Sequence, residues 1–202
     1  MSVIAALALM QAVPLDAIET YDRNDWDRTV TQCDVVIGHP DDPEAVTGGV
    51  EREAADLPAA IEACEAAVAA DPENPRLNYQ LARAYGYSGM HAEAQPHRDV
   101  ALTAGYPQSL FVVGYIRLIG WDGQDPDPCY GGELIRLSAE AGRFAGLVGF
   151  PHYALSGAFE GCETYPVVDD AEMLGFLDAA EAQTGDFYRT ALIEQMRARI
   201  TE

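Results

Sequence analysis

The sequence predicts an all-α chain built from antiparallel helix hairpins, and three observations carry that prediction. Residues 81–94, LARAYGYSGMHAEA, set small and large apolar side chains at helical spacing on both sides of Gly89, so one helix ends there and another begins. Gly105 and Gly142 repeat that punctuation further along the chain. Helical stretches also begin on Asp or Pro, as in DLPAAIEACEAAVAADPENP from Asp56, where a proline in the first turn follows an acidic cap.

Taken in order, residues 17–37 form the first expected helix, with Tyr21, Trp26, Val30 and Cys33 as its apolar stripe and Gly38 and Pro40 as its stop. The turn-rich HPDDPEAVTGGV that follows is a loop. Asp56 then opens an alanine-rich helix that stops at Asp71 and Pro72. A second begins after Pro75 and carries Leu77, Leu81, Ala84 and Tyr85 on one side; past Gly89 its partner runs to about Thr103. Residues 109–119 form the next, followed by a Gly/Asp/Pro loop over 120–132 and a helix over 133–141. Further helices are expected over 144–159, 171–184 and 186–200, with Pro151 either kinking the first of these or delaying its start.

At 202 residues the chain suits one domain with a continuous core. Its net charge of -21, from 33 acidic residues against 12 basic ones, argues against nucleic acid and anionic membrane surfaces as partners. A solvated acidic surface is the simple reading of that charge; a surface selecting basic partners is the other. The opening MSVIAALALMQA has the length of a secretory leader's apolar region and is too short to span a bilayer, so residues 1–12 suggest export without stable membrane insertion; the alternative is a buried first helix. Cys33, Cys64, Cys129 and Cys162 agree with export, since an even set of cysteines persists as disulfides in an oxidising compartment, such as a periplasm or the exterior. Four buried thiols of a reducing compartment are the competing reading.

Leu81, Ala82, Ala84, Tyr85, Gly89, Ala94 and Ala101 stand at offsets that resemble the tetratricopeptide repeat, and Ala60, Ala67 and Pro72 are similar to the second half of a preceding unit. Gly105, Val113, Gly114 and Tyr115 resemble the related Sel-one-like repeat. The resemblance spans residues 56–162; Arg98 departs from it, standing where a large aromatic is usual. It implies a right-handed α-solenoid of tetratricopeptide-like and Sel-one-like hairpins: a cap helix over 17–37, repeats over about 53–165 and closing helices over 170–202, all within one domain from residue 13 to 202.

Local motifs that carry chemistry are wanting. No Ser/His/Asp or Cys/His nucleophile pattern is discernible, and His91 and His97 lack the four-residue spacing of a zinc helix. None of the cysteines lies in a Cys-x-x-Cys pair, which disfavours zinc. The loop DGQDPDP over 122–128 clusters three carboxylates but misses the calcium template, with Gln in place of the second acid and Pro interrupting it. Pairs such as Glu53 with Asp56, or Glu160 with Glu163, arise by chance in so acidic a chain. The reading is a non-enzyme without cofactor or metal.

The resemblance also implies a concave groove lined by the first helix of each hairpin. It brings Arg76, Tyr79, Arg83 and Tyr87 to that face, and Phe111 and Tyr115 continue it in the next unit. Arg76 and Arg83, seven residues apart, fall on one side of their helix and would suit a peptide carboxylate or acidic side chain. Both arginines pairing with acids of neighbouring repeats is the structural alternative. In the same arrangement Cys33 would reach Cys64 and staple the cap to the stack, and Cys129 would emerge on one edge with Cys162; the connectivity itself stays open. The function expected is protein or peptide binding. The alternatives are a cysteine-containing Sel-one-like hydrolase, or a structural accessory to a separate enzyme. Partner identity and oligomeric state are not legible.

Overall fold

Nine α-helices and no strand occur among the described residues, which in the computed structural model are 12–121 and 125–202. The helices are α1 (Gln32–Ile37), α2 (Leu57–Ala70), α3 (Pro75–Tyr87), α4 (His91–Thr103), α5 (Pro107–Ile119), α6 (Pro128–Glu140), α7 (Phe144–Leu155), α8 (Asp170–Ala182) and α9 (Phe187–Thr201). The expected leader lies outside the described residues except for Ala12, as do residues 122–124 of the DGQDPDP loop. No helix among the described residues is long and apolar enough to cross a membrane.

Four of the 33 acidic residues cap the starts of the longer helices. Asp56, Asp127, Asp169 and Asp186 each accept a backbone N–H from the first turn of α2, α6, α8 and α9, and Asn74 does the same for α3. Such a cap satisfies a donor that the helix leaves open and contributes about 1 kcal/mol. Proline fills the first turn of α2, α3, α5 and α6, where its missing N–H is not needed.

Three expectations differ at helix level. Residues 17–37 are not one helix: only Gln32–Ile37 is α-helical, after short 3-10 turns at Leu15–Ala17 and Arg23–Asp25. The side chains of Asp22 and Asp27 accept the backbone N–H of Asn24 and Thr29, each at 2.9 Å, and these local turns compete with helix. Helix begins only where Thr31 and Asp34 form a reciprocal capping box. The loop expected over 120–132 is likewise shorter, because α6 already starts at Pro128 and holds Gly131 and Gly132 in its interior. These glycines serve packing. A Cβ on Gly131 would lie 2.6 Å from the Gly114 carbonyl oxygen and from the Leu118 nitrogen of α5, so the two helices approach backbone to backbone there. Pro151 neither delays nor ends α7, which runs from Phe144 through it and stops at Leu155, short of the expected Phe159.

Consecutive helices pack on one another, α3 on α4, α5 on α6 and α6 on α7 most extensively. The apolar interior has two principal centres. One gathers Cys33, Ile37, Ala60, Cys64, Leu77 and Leu81 from α1–α3; the other gathers Ile135, Leu147, Phe150, Met173, Leu177 and Ile193 from α6–α9. Between them α4 and α5 touch only sparingly, and α3 hardly meets α5. That seam is where a cleft opens.

The segment ahead of α1 runs back along the stack. The Tyr130 hydroxyl donates to the Val13 carbonyl at 2.6 Å, Glu19 N–H to Thr103 O at 2.8 Å, and the Asn74 amide to Asp27 O at 3.0 Å. Gly105 accommodates the crossing: its φ is +66°, and a Cβ would fall 2.1 Å from the Glu19 carbonyl oxygen. Two disulfides add covalent ties. Cys33–Cys64 joins α1 to α2, and Cys129–Cys162 joins the first turn of α6 to the chain beyond α7.

Candidate functional site

Helical spacing places Arg76, Gln80, Arg83 and Tyr87 of α3 on one face, and the chain covers the first half of that face itself. Arg76, 3 % exposed, donates to the carboxylate of the fully buried Asp34 and to the carbonyls of Asp27 and Thr29. Asp34 also accepts from the Gln80 amide at 2.9 Å and from the Thr31 N–H and hydroxyl at 2.8 Å each. A buried carboxylate so surrounded has its oxygens satisfied by protein donors in place of solvent. Arg76 therefore holds α1 against α3 and is not presented to a ligand, because burial leaves it no face toward solvent.

Arg83 is occupied in a similar way. Its guanidinium donates to the carbonyls of Ile37, Gly38 and Val50 and to the Tyr87 hydroxyl, closing the segment between α1 and α2 onto α3. Tyr79 is buried, and its hydroxyl accepts from the Gln108 amide at 3.2 Å; burial pushes the phenol well above its ordinary pKa. Gln108 in turn accepts from Arg143 at 2.6 Å, and Arg143 lies 4.6 Å over the Phe111 ring. This relay fixes the facing walls of α3 and α5.

Five of the six expected residues meet around one cleft of about 470 Å³ between α3, α4 and α5: Tyr79, Arg83, Tyr87, Phe111 and Tyr115. Arg76 is not among them. The Phe111 and Tyr115 rings lie nearly parallel, centroids 6.4 Å apart. Sequence reasoning missed His39, Arg52, Arg98 and Trp121, which also line the cleft. His39 and Arg52 lie in a non-helical segment with no periodicity to orient them, and Trp121 follows the end of α5. The available signal was the scarcity of cations: all 12 basic residues are arginine, and five of them sit over aromatic rings. None of the 33 acidic residues is among the described residues lining the cleft.

The segment carrying His39 is anchored by buried acids. Asp42, 6 % exposed, accepts from the Tyr106 hydroxyl at 2.7 Å and the Glu44 N–H at 2.9 Å. Glu44 pairs with Arg23 at 2.6 Å and Arg28 at 2.8 Å. Burial pushes the Asp42 carboxyl up to about 6, against the pull of those two hydrogen bonds and of Arg143. Burial, with Arg83 and Arg143 nearby, lowers His39 to about 4, so its ring is neutral; its Nδ1 accepts the Asp41 N–H at 3.0 Å.

Because the Asp42 proton is held more tightly in the folded chain, its stabilising contribution is full below the unfolded pKa near 4 and is lost as pH rises through about 6. Relative to an Asp42→Asn variant, the native chain is expected to lose about 2–3 kcal/mol between pH 4 and pH 7. Urea denaturation of both proteins across that range checks this. A difference that stays flat would show that the Asp42 carboxyl titrates normally.

No family model, curated protein or solved structure matches the chain.

Proposed function

We propose that the chain is a non-catalytic protein- or peptide-binding scaffold: a right-handed solenoid of degenerate tetratricopeptide-like and Sel-one-like hairpins, exported to a periplasm or beyond, that receives a partner segment in the cleft between α3 and α5. The observation carrying this reading is the lining of that cleft. In a chain of net charge -21 it combines aromatic side chains with arginine, residue types favoured where proteins bind other proteins, and excludes carboxylates among its described residues. Its volume of about 470 Å³ accommodates a few side chains of a partner. Export is supported by the two disulfides, which persist where thiols are not kept reduced.

The test is selection of a displayed peptide library on the immobilised native chain, followed by rebinding to a Tyr115→Glu variant. Tyr115 is half-buried on the cleft wall, so the substitution introduces a carboxylate where the described lining residues have none. Selected peptides are expected to lose about tenfold or more in affinity for the variant. Peptides that bind both proteins equally, or no enrichment at all, would count against the cleft as the site.

A further inference from the structure

Arg52 stands in the 3-10 turn Arg52–Ala54, on the segment between α1 and α2, and lines the cleft beside Tyr87 of α3. Its guanidinium lies 4.7 Å from the centroid of the Tyr87 ring, and Arg83 approaches the same ring at 5.0 Å. The two cations differ in what their N–H groups do. Arg83 donates to three backbone carbonyls and to the Tyr87 hydroxyl, whereas Arg52 has no acceptor among the described residues. Two guanidinium groups on one ring repel each other, and an anion bound at Arg52 relieves that repulsion.

The part of the lining that α5 contributes is mostly apolar. Phe111, Tyr115 and Ile116 of α5 face the cleft, and Trp121, 54 % exposed, stands at its rim. An arginine with open donors, fixed by stacking, suits a planar two-oxygen anion, which it grips bidentately.

We infer that the cleft takes an aromatic carboxylate, with the carboxylate on Arg52 and the ring against the Phe111–Tyr115 wall. The inference rests on the reading of the cleft as the binding site and assigns the anion-holding role to Arg52, a residue outside the helical pattern. Such a group is offered equally by a free aromatic acid and by a peptide that ends in an aromatic residue.

The experiment is fluorescence titration of Trp121 in a Trp26→Phe background, which leaves Trp121 as the sole tryptophan of the chain. The probes are 3-phenylpropionate and its neutral amide, then acetyl-Ala-Ala-Phe with a free or an amidated end. Saturable binding of the acids is expected to be about tenfold tighter than that of the amides and to weaken with salt. Arg52→Gln is expected to reduce acid binding to the level of the amide while leaving amide binding unchanged, and Arg52→Lys to restore part of the difference. Arg52 is exposed and outside the core, so thermal melting should not move. If the peptide acid binds more tightly than 3-phenylpropionate, the natural source is a peptide; the reverse order points to a free acid. Equal binding of acid and amide, insensitive to Arg52→Gln, overturns the inference and leaves the cleft standing as a site. No saturable response to any probe overturns the cleft reading itself, and the inference with it.

Discussion

Replacing Arg76 by alanine is expected to destabilise the folded chain by about 3–5 kcal/mol, the usual cost of leaving one member of a buried ion pair uncompensated. Asp34 is fully buried and Arg76 is 3 % exposed, so solvent cannot take over when the guanidinium is removed. The carboxylate would retain only the Gln80 amide and the Thr31 donors. The loss reaches beyond the pair, because Arg76 also donates to the carbonyls of Asp27, shared with the Asn74 amide, and Thr29, and so helps to hold the segment entering α1. Adding Asp34→Asn to Arg76→Ala removes the stranded charge and is expected to recover part of the loss, since asparagine can still accept from Thr31. Urea denaturation of the native chain, both single variants and the double variant measures the coupling. A cost below about 1 kcal/mol for Arg76→Ala would mean that the pair is not a buried charge pair in solution. The same variant would report on stability, so it is unsuited to testing ligand binding.

The second large effect is expected at the Cys33–Cys64 bridge. Its partners are 31 residues apart and both fully buried, so replacing both by alanine frees a loop of that length in the unfolded chain. The chain-entropy model puts this at about 4 kcal/mol, or a fall in melting temperature on the order of 10 °C for a chain of this size. Alanine is chosen so that no hydroxyl is buried. The effect should concentrate at α1, whose six residues are too few to hold helix alone and depend on the bridge, on Arg76 and on the contacts of Ile37. Hydrogen exchange should therefore accelerate first in α1, ahead of α6 and α7. Melting within a degree or two of the native protein would show that the packing of α1, not the bridge, carries its stability.

Much of the helical framework was legible because its signals are local. The Asp56 cap, the prolines at 58 and 75 and the break at Gly89 each act within a turn, and α2, α3 and α4 start and stop close to where those signals stand. Local signals also misled. The stripe of Tyr21, Trp26, Val30 and Cys33 resembles a helix face, yet the Asp22 and Asp27 side chains capture nearby backbone N–H groups, and the segment is drawn out along the stack instead. Gly131 and Gly132 read as loop because their use, close approach to α5 and to Phe159, depends on a partner distant in sequence.

The binding cleft divides in the same way. Helical periodicity sufficed to put Tyr79, Arg83 and Tyr87 on one face of α3 and Phe111 and Tyr115 on one face of α5. It was silent on what would lie across from them. Whether Arg76 met solvent or Asp34, and whether a cation from residues 38–56 would reach Tyr87, depended on where a non-periodic segment came to rest. By itself the sequence determined that the chain is helical, where most of its helices begin and end, and which faces are apolar, since caps, prolines, glycines and spacing act over a few residues. Only the tertiary structure decided that α1 and the segment before it would cover the Arg76 end of the expected groove, that Arg52 rather than Arg76 would line the cleft, and which cysteines would pair. Those outcomes follow from contacts between residues tens of positions apart, where burial, charge pairing and chain closure compete and no local pattern records the winner.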